Sequence, residues 1–401
     1  MSVPFGERGG RLRGGLDLIA GRYPRFVFGG RVGRLLPVFH FHDERPDDFE
    51  RKLQYLATNR YRTVNADDMA AFIQRRPLPE RAVALCFDDA WASVWTSASV
   101  LLKRYGFQAI LYAIPGRTDD AEQTRSREST VRSSAVTSAY NGSPFATWPE
   151  LRALHEEGSF DIQSHTFSHA MIHTASAPID FVAPGYEESS FLSRPLVDAV
   201  ESAPHVMQHV SRTDQAGIPL GLPGEHTHSR PIFVTPADLG TPLYATRSRM
   251  SEAPRVTREP AVRAACVRLV VSEGGPTFFA RTDWRARLEA TAAAAGSAGH
   301  RESDAEQQRA IESEIDTART ELNARLRTNT VNHVCLPWGI SGRQTKTALR
   351  RLGIHTAIAN RMPGVFAVRP GDDPYWLKRL PNKYIYRLPG EGRRWWFTST
   401  R

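Results

Sequence analysis

The sequence predicts an α/β protein in which parallel strands alternate with helices to form a sheet or barrel. Short apolar runs at 82–89, 107–115 and 160–164 have the length and composition of buried strands. Segments with helical spacing of apolar residues lie between strands, as at 49–60 and 93–106. Strands that alternate with helices form parallel sheets, because each crossover helix returns the chain to the same edge.

The N-terminal elements follow this alternation in order. The segment LLPVFHFH at 35–42 predicts the first strand, and the helix at 49–60 follows it. A second helical stretch at 70–76 stops at Pro77, which cannot continue a helix. The helix at 93–106 ends at Gly106, a residue type typical of a helix C-terminus.

The alternation breaks twice in the second part of the chain. Residues 116–146 are rich in Ser, Thr and Arg and predict a loop. The stretch 174–300 is dense in Pro, Gly and Ser, and we interpret it as an inserted subdomain or lid with one helix at 261–275. The predicted organisation is an N-terminal extension at 1–35, a β/α body at 36–175 and 301–390, the insertion at 176–300, and a basic aromatic tail at 391–401.

Composition and charge exclude several classes. The 401 residues contain no apolar run of about 18 residues, so no membrane span is expected. The N-terminus lacks the apolar core of a signal peptide, which predicts a cytoplasmic protein as sequenced, with association to a membrane surface left open. The net charge of +9 is spread along the chain, so nucleic-acid binding is not expected. Three scattered cysteines support neither disulfides nor a cysteine zinc site.

Two adjacent carboxylates end a predicted buried strand. Asp88 and Asp89 close the run AVALCFDD, at the strand end where sites form in parallel α/β folds. Two charges at such a place need compensation, and a cation would provide it. The alternative interpretation is that Asp89 caps a following helix.

A pair of histidines follows another predicted strand. His165 and His169 stand four apart in SHTFSHA, directly after FDIQS. On a helical turn this spacing places two imidazoles on one side. Together with a carboxylate they make the three-ligand set of an open catalytic metal site. Ordinary surface or core histidines are the alternative.

The order of these motifs resembles the polysaccharide deacetylase superfamily. FDD, then SHTFSH, then the loop LPWG at 336–339 occur in the family's order, over about 36–175 and 303–390. VFHFH in the first strand, YGFQAILY and WLKRLP add to the likeness. The resemblance implies a distorted (β/α) barrel of about seven strands, here with a long irregular insertion. It implies a metal-dependent hydrolase that removes N-acetyl or O-acetyl groups from a polysaccharide or a glycan-lipid precursor.

The resemblance also implies residue roles. Asp88 takes the place of the general base on a metal-bound water, and Asp89, His165 and His169 take the places of the metal ligands. Trp338 stands where a backbone amide helps to hold the oxyanion. Zinc suits these ligands best, and nickel, cobalt, iron and manganese also suit them.

Three departures from the family pattern concern the catalytic machinery. Ala90 replaces the glycine that usually follows the aspartates. The arginine that often precedes the Pro-aromatic pair is missing, and Arg379 in WLKRLP could take its place. The late leucine-x-histidine motif, which holds the general acid, is also missing. His40 or His42, at the end of the first strand, could substitute for it.

The remaining candidates concern the substrate and the alternatives. His226 and His228 are further candidate acids, whereas His355 is predicted to pack in a late strand. Trp91 could stack on a sugar ring, although core packing is the usual role of tryptophan. We group Trp91, His40, His42 and Arg379 as substrate-binding candidates. A carbohydrate-binding pseudoenzyme of the same fold is the alternative function, because the departures weaken the catalytic set.

Overall fold

The computed structural model describes residues 23–127, 144–185, 238–257, 260–296, 299–359 and 366–394. The chain divides into two compact units. The sheet unit comprises Val3–Ser168, Glu312–Ser341 and Lys346–Arg401, and the second unit comprises Met1–Ser2, His169–Ile311 and Gly342–Thr345. Among the sequence predictions, those for residues 1–22, His226, His228 and 395–401 lie outside the described residues.

Regular elements follow one another in the predicted order through the sheet unit. In chain order the elements are β1 Val38–Phe41, α1 Pro46–Thr58, β2 Arg62–Thr63, α2 Ala66–Ile73, β3 Ala82–Asp88, α3 Ser99–Tyr105, β4 Ala109–Ala113, α4 Trp148–Glu156, β5 Phe160–Ser164, β6 Met171–Phe181, β7 Pro242–Ser248, α5 Pro260–Ser272, α6 Trp284–Ala294, α7 Asp304–Leu326, β8 His333–Cys335, α8 Arg343–Arg351, β9 Thr356–Ile358 and β10 Leu380–Pro381.

The main sheet is parallel and has the strand order β10-β1-β3-β4-β5-β8-β9, with β2 beside β3. Its two edges are linked by one segment, because Leu377 bridges Ile358 in β9 while Leu380 pairs with Phe39 in β1. This topology confirms the predicted α/β class and the barrel of seven strands. All carboxyl ends of the strands therefore meet at one edge.

The two faces of the sheet bury different side chains. Along β3, Val83, Leu85 and Phe87 pack in the core shared with α1, α3 and α4, whereas Ala84 and Cys86 pack in a second core. This alternation is the two-residue period of a strand. The second core also contains residues of α2, so α2 covers the face that carries Cys86. Asp88 shares the parity of Cys86 and therefore points to that face.

Local sequence explains how two helices begin and end. Glu150 accepts a hydrogen bond from the backbone N–H of Thr147 at the start of α4, at 2.9 Å, and Pro149 stands in the first turn. Gly106 ends α3 with φ 67°, a left-handed conformation that glycine adopts without strain.

The second unit has more regular structure than the sequence predicted. Strands β6 and β7 form an antiparallel pair, and α5 and α6 pack around a core that includes Cys266 and Leu288. The predicted helix at 261–275 is confirmed as α5, and α6 is a second helix that the sequence did not predict. Helix α6 has only Leu288 and Ala292 buried, so its alanine-rich sequence shows no strong apolar stripe. Within the described residues, no helix combines the length and apolarity that a membrane crossing needs.

Candidate active site

The two adjacent carboxylates lie at the carboxyl end of β3. Asp88 is the last residue of the strand, and Asp89 and Ala90 follow with φ 69° and 56°. Both carboxylates are buried, with 2% and 4% of the residue exposed. Asp89 is not a helix cap, because the next helical turn begins at Val94 after Ser93. The left-handed turn instead lets neighbouring residues present their carboxylates at the same end of the strand.

The two histidines lie in a loop rather than on the predicted helical turn. Thr166 and His169 have φ 65° and 55°, so the loop after β5 winds with left-handed residues. Within the sheet unit, Glu314 holds this loop by accepting hydrogen bonds from the backbone N–H and the hydroxyl of Ser168, at 3.0 and 2.6 Å. Arg117 Nε donates to the Ser168 carbonyl at 3.1 Å. The loop geometry is therefore fixed by buried polar contacts.

The ring of His165 has the orientation of a metal ligand. Its Nδ1 lies 2.6 Å from the Cys335 carbonyl oxygen, which can only accept a hydrogen bond. Nδ1 therefore carries the proton, and Nε2 faces Asp89 Oδ1 at 3.4 Å. A second ring nitrogen held by a carbonyl is the usual arrangement of a ligating histidine.

Three donors of the predicted set come together. One ligand atom each from Asp89, His165 and His169 lies within 4.8 Å of the others, and all three residues are buried. One carboxylate and two imidazoles suit a divalent cation with a remaining position for water. Because Nε2 of His165 and a carboxylate oxygen approach each other as two acceptors, a cation between them would stabilise the arrangement. The donor set thus fits a metal.

The charge environment of His165 agrees with this interpretation. Burial of the ring lowers the pKa of His165, but interactions with Cys335, Asp88 and Asp89 outweigh it and raise that pKa well above its ordinary value. The carboxylates therefore favour a positive charge at this position.

A buried arginine compensates Asp88. Arg379 Nη1 lies 2.6 Å from Asp88 Oδ1, with side-chain exposures of 9% and 3%. Burial raises the pKa of Asp88, but the charges of Arg379 and His165 hold it well below its usual range. Asp88 is therefore a carboxylate at neutral pH. Arg379, which lies directly before β10, thus approaches the carboxylates.

Two histidines at the end of β1 lie beside this pair. His42 Nε2 is 3.7 Å from Asp88 Oδ2, and its ring is half exposed. The His40 and His42 rings are 5.7 Å apart. Burial, with the charges of Arg379 and His42, lowers the pKa of His40 to about 3. The ring of His40 is therefore uncharged at neutral pH.

Two tryptophans lie near the carboxylates. Trp91 Nε1 donates to Asp89 Oδ2 at 3.1 Å, and its ring packs at 5.0 Å from the ring of Phe145. Trp91 therefore orients the predicted ligand Asp89. Trp338 has φ 54° in the turn Pro337–Gly339 that follows β8, three residues after Cys335. Its backbone lies at the same strand edge as the carboxylates.

Two contacts of the site have no signal in the sequence. Glu314 stands among other charged residues of α7, and nothing in its local pattern distinguishes it from a solvated face. The Cys335 carbonyl is a backbone group, so the residue type does not reveal it. His355 is exposed and precedes β9, so the prediction that it packs in a late strand was wrong.

Comparison with known proteins gives a family match over part of the chain. Residues 75–184, which include both aspartates and both histidines, match the family model described as polysaccharide deacetylase. The match confirms the resemblance and the predicted enzyme class, an amide hydrolase of the polysaccharide deacetylase type. No curated protein sequence matches this chain.

Several solved structures are similar to this one at low identity. The deacetylase domain of BpsB from Bordetella bronchiseptica is 14% identical with a TM-score of 0.44, over 88% of this chain and 98% of that one. IcaB from Ammonifex degensii is 14% identical with a TM-score of 0.44, over 88% and 95%. A de-N-acetylase from Aggregatibacter actinomycetemcomitans is 13% identical with a TM-score of 0.43, over 85% and 97%. At such values the function must be argued from the residues of this chain.

Proposed function

From the polysaccharide deacetylase region that this chain carries, we propose a metal-dependent hydrolase that removes acetyl groups from a polysaccharide or glycan precursor. N-acetyl groups are the favoured target, and O-acetyl groups are the alternative target. The carrying observation is the buried triad of Asp89, His165 and His169 beside the ionised Asp88. A glycan-lipid precursor would suit the chain as well as a free polymer.

The donor set names the cofactor class. We assign Asp89, His165 and His169 as the ligands of a divalent cation, which when bound would supply Lewis acidity toward water and the acetyl carbonyl. Zinc suits one carboxylate and two imidazoles best, and nickel, cobalt, iron and manganese also suit them. Trp91 supports the set, because its N–H holds one oxygen of Asp89.

Asp88 is the residue that we assign as general base. Arg379 donates to Oδ1, so we assign Oδ2 as the oxygen that accepts the proton from the attacking water. The guanidinium fixes the carboxylate and keeps it ionised, which makes the acceptor available across the neutral range. Proton acceptance by a positioned side chain contributes about 10²–10⁴-fold to the rate.

Stabilisation of the oxyanion and protonation of the leaving amine complete the proposed mechanism. We assign the backbone N–H of Trp338 as an oxyanion donor, since its left-handed turn lies at the end of β8 beside the His165 loop. We propose His42 as the acid, since its Nε2 lies 3.7 Å from Asp88 Oδ2 and its ring is half exposed. A histidine at this place could return a proton to the amine.

Acetate release from N-acetylglucosamine oligomers tests the proposal. Wild type should release acetate, lose the activity on chelation and regain it with added metal. Asp88→Asn should lose at least about 100-fold while it keeps the metal, and the control Asp120→Asn, at an exposed carboxylate, should match wild type. A metal content per chain that His165→Ala leaves unchanged, or acetate release that survives Asp88→Asn, would contradict the assignment.

A carbohydrate-binding protein with little activity is the second candidate. The departures of the sequence favour it, because Ala90 replaces the usual glycine and the late leucine-x-histidine motif is missing. Glycan binding that is equal with and without chelator, together with no acetate release from any oligomer, would select this function.

A further inference from the structure

A second cluster of metal-ligating side chains lies at the other end of the strands. Asp67 is in the first turn of α2, His333 is the first residue of β8, and His355 directly precedes β9. His333 Nε2 is 3.0 Å from Asp67 Oδ1, and His355 Nδ1 is 3.9 Å from the same oxygen. One ligand atom from each residue lies within 4.8 Å of the others. The strands run from this end toward the catalytic carboxylates.

The separations suit a shared cation. Ligand atoms at about 2.0–2.2 Å from zinc stand roughly 3–3.5 Å apart. The pair at 3.0 Å already meets this range, and the pair at 3.9 Å needs a shift of about half an ångström. His355 and Asp67 have side-chain exposures of 54% and 69%, so both can make that shift.

The hydrogen-bond partner of the buried His333 is compatible with either tautomer of its ring. The His333 side chain is fully buried, and its Nδ1 lies 2.8 Å from the Thr356 hydroxyl. The Thr356 hydroxyl can donate a hydrogen bond or accept one. When it accepts from a protonated Nδ1, Nε2 of His333 keeps a lone pair directed toward Asp67. An outer hydrogen bond of this type fixes the orientation of a ligating histidine.

Access and charge point to a cation rather than to packing alone. The inner ligand is buried while the two outer ligands face solvent, so an ion can enter and water can fill its remaining position. The Asp67 carboxylate brings the negative charge, and both imidazoles approach the same oxygen of it. Neither the sheet core nor the deacetylation chemistry requires two histidines around this carboxylate.

We propose that Asp67, His333 and His355 form a second divalent-cation site of the zinc class, independent of the catalytic one. The site has a structural role. An ion here would connect the first turn of α2 to the N-terminal ends of β8 and β9. Asp67 and His333, which it would join, are 266 residues apart in the sequence. Binding to the folded chain alone stabilises it by mass action.

Zinc stoichiometry tests the proposal. The full chain is equilibrated with zinc, freed of excess metal and analysed for zinc per chain. Wild type should hold two equivalents, His165→Ala and His355→Ala one each, and the double variant none. The matched control is His300→Ala, since His300 is an exposed histidine beside the single carboxylate Glu306, and it should hold two. Deacetylation by His355→Ala should equal that of wild type.

A thermal measurement makes the result independent of turnover. In the His165→Ala background, added zinc should raise the Tm, and the further change His355→Ala should abolish that rise. Should His165→Ala fail to fold, Asp89→Asn serves as the background. The proposal is overturned if His355→Ala leaves both the stoichiometry and the zinc-dependent Tm unchanged, whatever the fate of the catalytic metal.

Discussion

The pair formed by Arg379 and Asp88 allows the sharpest test of the site. Replacing Arg379 by Met keeps the length of the side chain but leaves the Asp88 carboxylate buried without its 2.6 Å partner. Asp88→Asn conversely leaves the Arg379 guanidinium buried without a carboxylate partner. The double variant removes both charges. These three variants and the wild type form a complete double-mutant cycle.

The expected magnitude follows from the burial of the pair. Two unit charges about 4 Å apart interact by about 4 kcal/mol at an effective dielectric constant of 20. Removing one partner of a buried pair costs about 3–5 kcal/mol, because the other charge stays buried and uncompensated. We therefore expect each single variant to lose about 3–5 kcal/mol. The double variant should lose clearly less than the sum, with a coupling energy of about 2–3 kcal/mol.

The assay is urea unfolding followed by tryptophan fluorescence. A chelator is present throughout, so that loss of a bound metal does not contribute to the difference between variants. A change of midpoint at constant slope reports stability, and a change of slope would show that the unfolding reaction itself differs. The exposed pair Arg325–Asp120, at 2.9 Å with side-chain exposures of 40% and 71%, supplies the control cycle. Its coupling should be at most about 1 kcal/mol.

Two results would refute the reasoning. Additivity of the Arg379 and Asp88 variants within about 0.5 kcal/mol would mean that the two charges do not interact in the folded protein. A coupling equal to that of the control cycle would mean that the pair is solvated despite its burial. Either result would also remove the argument that Arg379 keeps the proposed base ionised.

Three further predictions concern separate residues. Glu150 is fully buried and accepts hydrogen bonds from Arg125, so Glu150→Gln should cost about 3 kcal/mol at pH 7. Burial raises the pKa of Glu150, but Arg125 and the backbone of Thr147 outweigh this and hold the pKa below 4.5. The stability that Glu150 contributes is therefore present above pH 4.5 and lost as the pH falls through the lowered pKa, so the gap between the urea midpoints of variant and wild type should narrow on acidification. A constant gap would count against the pair. The His40 ring proton should show no NMR titration from pH 5 to 8, because its pKa is about 3, and a midpoint near 6.5 would contradict this. Ala90→Gly should change the free energy of unfolding by no more than about 0.5 kcal/mol, because glycine relieves the left-handed conformation and this offsets the lost methyl group. The control Ala84→Gly, in the extended strand β3, should cost at least about 1 kcal/mol. Equal losses for the two variants in urea unfolding would disprove the strain at Ala90.

Much of the sheet unit could be predicted because its elements are marked locally. The run AVALCFDD gives β3 almost to the residue, and Gly106 marks the end of α3. The motifs also named the carboxylates and histidines that the structure brings together, since the ends of parallel strands share one edge. For these features, short-range pattern and strand geometry were enough.

The remaining features depend on contacts that no local pattern contains. The histidine loop departs from a helical turn because Thr166 adopts a left-handed conformation, which its residue type does not announce. Helix α6 has too few buried apolar residues to show a clear period. The cluster at Asp67 brings a helix residue to the start of the neighbouring strands β8 and β9, and the sequence separates Asp67 from His333 by 266 positions.

The segment Leu377–Leu380, which links the two edges of the sheet, also determines when the sheet can close during synthesis. Asp88 and its arginine are 291 residues apart in the chain. At about 5–20 residues per second, a ribosome needs roughly 15–60 s to deliver the second charge after the first. During that interval Asp88 lacks Arg379 and the edge at β1 is open to pairing with other chains, while β9 is added only shortly before the arginine. We therefore expect the nascent sheet to stay open, and Asp88 to lack its arginine, until Leu377–Leu380 have been synthesised.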